Sequence, residues 1–401
     1  MKIAGIIAEY NPLHNGHAYH IQKTKELTGA DYVIIALSGD FLQRGEPACL
    51  SKHHRARMAL LAGADLVFEI PSTHSCQSAE LYAKSGVELL QGLGCVDVLC
   101  FGSESGDISP FLSLGKLLAE EPANYQEQLR TNLKTGDSYP LARQKALATL
   151  GYDHAAMLAT PNNILGVEYC KAIIRQNSDI KPITIKRAGS GYHELALSHD
   201  YPSASGIRHH VRQRCSLEEL QPYFPDAVYR YFYENDIFDE FLTAEDFSLL
   251  FRWMLFTKQE KDLCSIMDIH PELAKRMLRE RNRYESYSQF VSLLKTKEVT
   301  HSRLTRALFH ALLGIEDCPA LPYARLLGFR KSASLVLKTI KKNATLPLLT
   351  KLADASAILD TSALSILEKN TQIANLYESV LCEKTKKTFT HEYQKELILL
   401  P

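Results

Sequence analysis

The sequence predicts an α/β fold in which a Rossmann-like, doubly wound parallel sheet precedes an all-α C-terminal domain. Short continuous apolar runs alternate with helical patterns over the first half of the chain, polar loops follow these runs, and no strand pattern follows Arg208. Strands of a parallel sheet are covered on both faces, so they read as continuous apolar runs. Binding sites in such folds lie beyond the carboxyl ends of the strands.

The predicted elements divide the chain into two domains. Strands are expected at residues 2–8, 32–37, 65–70, 97–101 and 182–186. Helices are expected between them, at residues 18–27, 52–62, 78–90, 109–120, 141–150 and 163–176. Because this alternation stops near Arg208, we place an α/β domain at residues 1–213 and a helical domain at 214–401. Residues 383–401 are expected to form a terminal helix or tail.

Composition excludes some classes of protein and favours none. A hydrophobic content of 45% and a charged content of 23%, with zero net charge, are ordinary for a soluble globular protein. No apolar run reaches the roughly 18–20 residues that a membrane span needs. The nine cysteines lack CxxC spacing, and the chain starts directly in a strand, so we expect a cytoplasmic protein. No metal-ligand motif is present in the sequence, and a homo-oligomer is left open.

The first candidate site is the stretch GIIAEYNPLHNGHAYH, residues 5–20. A strand leads into a turn, and His14 and His17 open the following helix. This arrangement presents backbone N–H groups to phosphate, and the two imidazoles add hydrogen-bond donors. The alternative is that both histidines merely cap or pack the helix.

The second candidate site is Ser203-Ala204-Ser205-Gly206-Ile207-Arg208. Serine hydroxyls and helix N–H groups can bind phosphate oxygens, and the arginine can neutralise a leaving pyrophosphate. The alternative is a serine N-cap beside a surface arginine.

Although the net charge of the chain is zero, acidic and basic residues are unevenly distributed in its second half. Residues 216–270 hold 12 acidic and 4 basic side chains, whereas residues 271–342 hold 15 basic and 6 acidic ones. Tyr284, Tyr287, Phe290, His301 and Tyr323 are interleaved and are expected to stack on unpaired bases. We therefore predict RNA contacts at Lys275, Arg276, Arg279, Arg281, Arg283, Arg303 and Arg306. The alternatives are a solvated face or pairing with the acidic segment.

These motifs together resemble a known family. The HxGH element, the GIIAEYNP lead-in and the SxSxxR element resemble the HIGH-motif nucleotidyltransferase superfamily. The stretch SGDFLQRGEP at residues 38–47, with Lys52, Arg55 and PNNILGVEY at 161–169, narrows the resemblance to bacterial tRNA(Met) cytidine acetate ligases. It covers nearly the whole chain.

The resemblance implies a reaction and a division of labour. Members of that family use ATP to activate acetate as acetyl-adenylate and transfer the acetyl group to N4 of the wobble cytidine of elongator tRNA(Met), forming N4-acetylcytidine. Residues 1–213 would then bind ATP and catalyse, and residues 214–401 would bind tRNA. Mg²⁺ is expected to neutralise phosphate charge.

The resemblance also implies the site residues. His14, His17, Asp40 and Arg208 would be catalytic, with Asp40 as an orienting or proton-accepting group. A turn role for Asp40 is the alternative. ATP would be bound by Ile7, Ala8, Glu9, Tyr10, Asn11, Pro12, Leu13, His14, Asn15, Gly16, His17, Ala18, Tyr19, His20, Gly102, Asn162, Arg187, Ser203, Ser205 and Arg208.

Two other functions remain open on the sequence alone. One is a nucleotidyltransferase that adenylylates a small phosphorylated metabolite, which leaves the basic helical half without a role. The other is a non-catalytic RNA-binding protein with a vestigial nucleotide site, against which the intact HxGH and SxSxxR elements argue.

Overall fold

A computed structural model describes residues 1–152, 155–187, 203–297 and 299–401. The expected ATP-binding residue Arg187 is thus described, and residues 188–202 lie outside the described ranges. In chain order, the described strands β1 to β10 are Ile3–Ala8, Tyr32–Ser38, Phe41–Leu42, Glu46–Pro47, Leu66–Ile70, Val98–Ser103, Lys181–Lys186, Ala324–Arg330, Leu348–Leu349 and Ile398–Leu400. The described helices α1 to α19 are Asn15–Thr28, Lys52–Leu61, Ser72–Ser75, Ala79–Gly92, Ser109–Glu120, Ala123–Lys134, Tyr139–Thr149, Pro161–Arg175, Ala204–Arg212, Leu217–Leu220, Asp226–Glu234, Ser248–Thr257, Glu260–Cys264, Pro271–Glu280, Tyr287–Leu294, His301–Leu313, Ser334–Asn343, Ala355–Ile358 and Thr361–Thr385.

The central sheet has the order β10-β8-β5-β2-β1-β6-β7. Five neighbouring strands, in the order β5-β2-β1-β6-β7, pair in parallel, so β1 lies between β2 and β6. The chain builds outward from β1 first on the β2 side and then on the β6 side. The carboxyl ends of β1 and β6 therefore mark the point at which the strand order reverses, where such sheets bind ligands. The predicted α/β fold class is confirmed.

The strand sequences explain why the sheet is covered on both faces. Successive residues of a strand point to opposite faces. Ile34 and Ile35, neighbours in β2, are both fully buried but belong to different apolar clusters. Helices α4, α5 and α8 contribute to the cluster around Ile34, and α1 and α2 contribute to the cluster around Ile35.

The expectation that no strand follows Arg208 is wrong. Strand β8 pairs antiparallel with β5, and β9 and β10 pair with β8 in parallel. The expected terminal helix or tail at 383–401 instead contains the end of α19 and strand β10. The sequence of β8, ARLLGFR, carries an arginine at each side of a short apolar run, and the ion pairs that bury Arg325 come from distant residues. Three strands of the second half thus extend the sheet, and the 213/214 division stays a prediction.

The remaining C-terminal region is mainly helical. Helices α12, α14, α15, α16 and α19 share one apolar cluster that includes Phe251, Met277, Phe290, Phe309 and Tyr377. We call this unit the helical body. Across the described ranges, no helix combines the length and apolarity that crossing a membrane requires.

Candidate active site

The N-terminus of α1 carries the two predicted histidines in a defined hydrogen-bonding arrangement. His14 is the N-cap, and its Nδ1 accepts from the N–H of Gly16 at 3.0 Å. The N–H of His14 donates to Nδ1 of His17 at 3.3 Å, and the two ring centroids are 3.8 Å apart. Because each Nδ1 accepts a hydrogen bond, each neutral ring carries its proton on Nε2. Both histidines can therefore donate from Nε2 to an anion.

These imidazoles are uncharged at neutral pH. Burial and the nearby Arg187 guanidinium lower the pKa of His14 to about 3. Burial, His14, Arg187 and His20 hold the pKa of His17 well below its ordinary value. Burial and Arg187 lower the pKa of His20 to about 4. The histidines thus act as neutral donors, and the positive charge in this region comes from arginines.

The second predicted motif lies against the first. Ser203 is the N-cap of α9, and its hydroxyl accepts from the N–H of Gly206 at 2.9 Å. Nη1 of Arg208 donates to the carbonyl oxygen of Asn11 at 2.6 Å, and Nη2 lies 3.6 Å from Glu46. The structure therefore brings together two motifs that lie nearly 200 residues apart in the chain.

A cleft of about 570 Å³ opens at the carboxyl ends of β1 and β6. It is lined by most residues that the sequence assigns to ATP: Ile7, Ala8, Glu9, Tyr10, Asn11, His14, Gly16, His17, Tyr19, His20, Gly102, Asn162, Arg187, Ser203, Ser205 and Arg208. Pro12, Leu13, Asn15 and Ala18 are not among its lining residues. Leu13 is fully buried in the core, and the Asn15 side chain donates to the carbonyl oxygen of Pro222.

Gly102, Asn162 and Arg187 meet at one edge of this cleft. A Cβ atom on Gly102 would lie 3.3 Å from Cγ of Arg187, so the absence of a side chain lets the arginine lie over the strand end. The N–H of Arg187 donates to the carbonyl oxygen of Ser103 at 2.8 Å. The Asn162 amide donates to Glu104 at 3.1 Å.

Asp40 does not face the histidines, which corrects its predicted catalytic position. The side chain is buried, accepts from the N–H of Lys52 at 2.7 Å, and is absent from the lining of the cleft. It belongs to a buried charge cluster with Lys52, Glu69, Arg325 and Glu392. Arg325 and Glu392 lie more than 250 positions after Asp40 in the chain, so a local turn pattern cannot reveal this cluster.

Gln43 and Arg44, from the same loop as Asp40, do line the cleft. The N–H of Gln43 donates to Oε1 of Glu9 at 2.9 Å. Burial raises the pKa of Glu9. The loop after β2 therefore contributes its distal part to the site and turns Asp40 into the core.

The helical body supplies another wall of the cleft through Thr300, Ser302 and Arg306. Nε of Arg306 lies 3.2 Å from Asp268, and the residue is 7% exposed. Gly45 has a positive φ of 70°, and a Cβ there would collide with the backbone of α16. Gly45 therefore permits the close approach of α16. Arg306, predicted as an RNA-contacting surface residue, is instead a buried cation beside the cleft.

The other predicted RNA contacts differ in exposure. Lys275, Arg279, Arg283 and Arg303 are exposed, whereas Arg276 and Arg281 are partly buried. Arg279 and Arg283 each bind Glu280, at 2.9 and 2.8 Å. These side chains form a basic surface on and beside α14.

The structure contradicts the predicted stacking role of four aromatic residues. Tyr284, Tyr287, Phe290 and Tyr323 are all buried, because their positions fall on the core side of their elements. On α12, by contrast, Trp253 and Phe256 are exposed, at 65% and 53%. The Arg281 guanidinium lies 5.5 Å from the Phe256 ring centroid.

A further part of the lining of the cleft was not predicted from the sequence. Helices α4, α7 and α8 contribute Ser78, Glu80, Tyr82, Tyr139, Arg143, Glu168 and Tyr169. The available signal was Glu168, which shares one face of α8 with Ile164 and Ala172 at a spacing of four residues. A charged residue on an apolar helix face is rare unless it is paired.

Comparisons with known proteins agree with this architecture. A family model described as HIGH Nucleotidyl Transferase matches residues 1–392. The tRNA(Met) cytidine acetate ligase of Clostridium novyi (strain NT) is 37% identical over 362 residues, which cover 88% of this chain and 90% of that protein. The same-named protein of Clostridium kluyveri is 38% identical over 391 residues, covering 92% and 96%.

Two solved structures of Thermotoga maritima TmcAL match over the full length of both chains at 29% identity. The apo form superposes with a TM-score of 0.94. The form bound with alpha-thio ATP superposes with a TM-score of 0.91.

Proposed function

Because the chain belongs to the HIGH nucleotidyl transferase family and groups with its tRNA(Met) cytidine acetate ligases, we propose that it is an ATP-dependent tRNA cytidine acetate ligase. It would activate acetate as acetyl-adenylate and acetylate N4 of the wobble cytidine of elongator tRNA(Met). The observation that carries this proposal is the cleft in which His14 and His17 face the serine–arginine motif of α9. The relative solved with alpha-thio ATP supports ATP as the substrate.

The geometry supports adenylation through positioning and electrostatics. The Nε2–H groups of His14 and His17 would bind phosphate oxygens, while Arg187 and Arg208 supply positive charge on the two sides of the cleft. An acetate oxygen would attack the α-phosphorus, and pyrophosphate would leave with the electron pair of the broken P–O bond. Such a site holds reactants in line and stabilises developing charge.

Transfer would follow at the same cleft. The cytidine N4 would attack the acetyl carbonyl, AMP would leave, and N4 would lose a proton. The wobble base must leave its stack to enter. The exposed basic residues of the helical body, together with Arg303, support binding of the tRNA backbone. Thr300, Ser302 and Arg306, at the start of α16, line the cleft, which supports an approach of the tRNA from this side.

Mg²⁺ fits as a partner of the triphosphate. Within the described ranges, no group of three or more His, Cys, Asp or Glu side chains is arranged to hold a metal ion. Mg²⁺ usually keeps several waters and binds through one or two carboxylates plus substrate phosphates. Of the carboxylates that line the cleft, Glu46 lies beside Arg208 and would contribute to holding the metal. The metal would lower the charge of the leaving pyrophosphate.

A cytoplasmic location follows from the same proposal, since ATP and tRNA are both substrates. All nine cysteines are free thiols, which suits a reducing compartment.

One incubation tests the proposed activity. The protein is mixed with ATP, labelled acetate and total tRNA, and the label is followed into nucleoside digests. Label in N4-acetylcytidine from tRNA(Met) is expected. AMP transfer to a small phosphorylated metabolite would instead indicate the adenylylating alternative. Tight RNA binding without turnover would indicate a non-catalytic protein.

A further inference from the structure

Helices α7 and α8 present an ion pair to the cleft that the adenylation step leaves unused. Nη1 of Arg143 donates to Oε1 of Glu168 at 2.6 Å. The two residues are only 9% and 2% exposed, and both line the cleft. The pair is thus held rigidly between two helices, at a wall distinct from the histidine-bearing turn.

Three polar side-chain atoms of this pair have no hydrogen-bond partner. Nε and Nη2 of Arg143 and Oε2 of Glu168 are buried without a hydrogen-bond partner. Lys171 lies 3.6 Å from Oε2, beyond hydrogen-bonding distance. Buried polar groups are nearly always hydrogen-bonded, and an unmet group of either charge is costly. A purely structural ion pair does not account for these three atoms, whereas a ligand would.

The unmet atoms define the chemistry of that ligand. Nε and Nη2 form the side edge of a guanidinium, with two nearly parallel N–H donors that match two adjacent acceptors in one plane. Oε2 of Glu168 adds an acceptor next to them. The pair therefore suits a planar group that presents two neighbouring acceptors and one donor.

We propose that Arg143 and Glu168 recognise the Watson–Crick edge of the acceptor cytosine, an inference that rests on the proposed function. Cytosine presents O2 and N3 as adjacent acceptors and the N4 amine as a donor. Arg143 binds O2 and N3, and Glu168 accepts from N4. Uracil carries N3–H and O4 in the corresponding places, so it would set a donor against the guanidinium and an acceptor against the carboxylate.

The surroundings suit an unstacked base. Tyr82, Tyr139 and Tyr169 line the same cleft, and the exposed Tyr139 offers an aromatic face for stacking. Tyr139 is half-exposed at the cleft, whereas Tyr82 and Tyr169 are buried. A base entering past Tyr139 would exchange stacking on its neighbours for stacking on tyrosine.

Arg143→Lys and Glu168→Gln test the proposal in the full-length protein. Lysine keeps the charge but loses the fork, and glutamine keeps the shape but places an amide beside N4. Both variants are expected to keep acetate-dependent ATP–pyrophosphate exchange within about twofold while kcat/KM for transfer to tRNA falls on the order of 10- to 100-fold, the range of one base contact. Lys171→Met is the matched control, since Lys171 contacts Glu168 but does not line the cleft.

Discrimination between bases is the decisive readout. A tRNA transcript with wobble uridine should compete poorly against the cytidine transcript on the wild-type protein and measurably better on Glu168→Gln, where the mismatch of O4 with the carboxylate is removed while that of N3–H with Arg143 remains. A raised KM for ATP or for acetate in the exchange assay, with discrimination retained, would assign the pair to adenine or to the acetate carboxylate and overturn the proposal.

A substrate variant keeps the test independent of folding. Wild-type protein should transfer acetyl groups poorly to tRNA carrying 3-deazacytidine, which keeps N4 but lacks the N3 acceptor. Efficient transfer to that substrate would overturn the assignment. If the wild-type protein shows neither exchange nor transfer, the proposed function itself fails, which these comparisons separate from failure of the base assignment.

Discussion

Arg208 holds the turn that precedes the histidine helix, because its Nη1 donates to the carbonyl oxygen of Asn11 at 2.6 Å. The donor lies on α9 and the acceptor on the turn after β1. One guanidinium thus links the histidine motif to the serine–arginine motif and lines the cleft between them. The position of each motif depends on the other.

Arg208→Lys should therefore impair adenylation more than it impairs folding. Lysine keeps the charge but cannot bind the Asn11 carbonyl and a phosphate oxygen together through a rigid fork. We expect kcat for acetate-dependent ATP–pyrophosphate exchange to fall by about 10²-fold, as when one transition-state donor is removed. Arg212→Lys, one turn later on α9 and outside this cleft, is the control. Equal activity of both variants would contradict the assigned role.

Removal of either histidine should abolish exchange while the fold remains. His14→Asn keeps a side-chain acceptor at the N-cap of α1 but removes the Nε2 donor. His17→Ala removes the second donor. Circular dichroism and thermal unfolding check the fold, and His270→Ala, an exposed histidine, is the control. Retained exchange in either site variant would remove the phosphate-holding role.

Stability should fall as the pH drops below about 6.5. The pKa of His14 is about 3 and that of His74 is about 4 in the folded protein, both lowered mainly by burial. The unfolded chain, with an ordinary histidine pKa near 6.5, binds these protons first. Each residue should then cost about 1.4 kcal/mol of stability per pH unit between 6.5 and its folded pKa.

Urea unfolding of the ligand-free protein at pH 7.5, 6.5 and 5.5 measures this dependence. His74→Gln should flatten it, because glutamine takes no proton in this range. His270→Ala should leave it unchanged. A free energy of unfolding that stays constant or rises towards pH 5.5 would show that the buried histidines do not control acid stability.

Charge reversal on the basic surface should weaken tRNA binding. The triple variant Arg279→Glu, Arg281→Glu and Arg283→Glu removes donors that lie on or next to α14. The slope of log K against log salt concentration should shrink by about one for each lost phosphate contact. Fluorescence anisotropy with labelled tRNA at several salt concentrations measures it.

A matched triple variant controls for net charge. Lys116→Glu, Arg130→Glu and Lys134→Glu change three exposed side chains on α5 and α6. This variant should retain most of the salt slope. If both triple variants show the wild-type slope, α14 and its surroundings are not part of the tRNA interface.

Lys52→Met should lower the free energy of unfolding by more than the loss of a single charge suggests. Nζ of Lys52 lies 2.8 Å from both Glu69 and Glu392, and all three side chains are buried. Removing the shared cation leaves carboxylates without adequate compensation, at a cost of about 3–5 kcal/mol. Urea unfolding should show the loss. Lys386→Met, which breaks an exposed pair with Glu383, should leave the midpoint unchanged.

The sequence by itself determined the parallel half of the sheet and the positions of the histidine motif and the serine–arginine motif. Strands β1, β2, β5 and β6 consist mainly of apolar residues, β7 alternates Ile183 and Ile185 with polar residues, and α1 and α9 begin within the two motifs. Each of these features depends on interactions within about 20 residues, so pattern and spacing suffice to predict it. The family resemblance rested on the same motifs and is confirmed.

Tertiary structure decided which charged residues face the cleft and which are buried in the core. Asp40 pairs with Lys52, which is itself held by Glu69 and Glu392, and Arg306 pairs with Asp268, so a turn or charge pattern alone does not show that Asp40 and Arg306 are buried. Strand β8 pairs antiparallel with β5, and this pairing sets Arg325 opposite Glu69, with Nη1 2.9 Å from the carboxylate. A buried charge is stable only beside its partner, and that partner is found by folding, not by sequence distance.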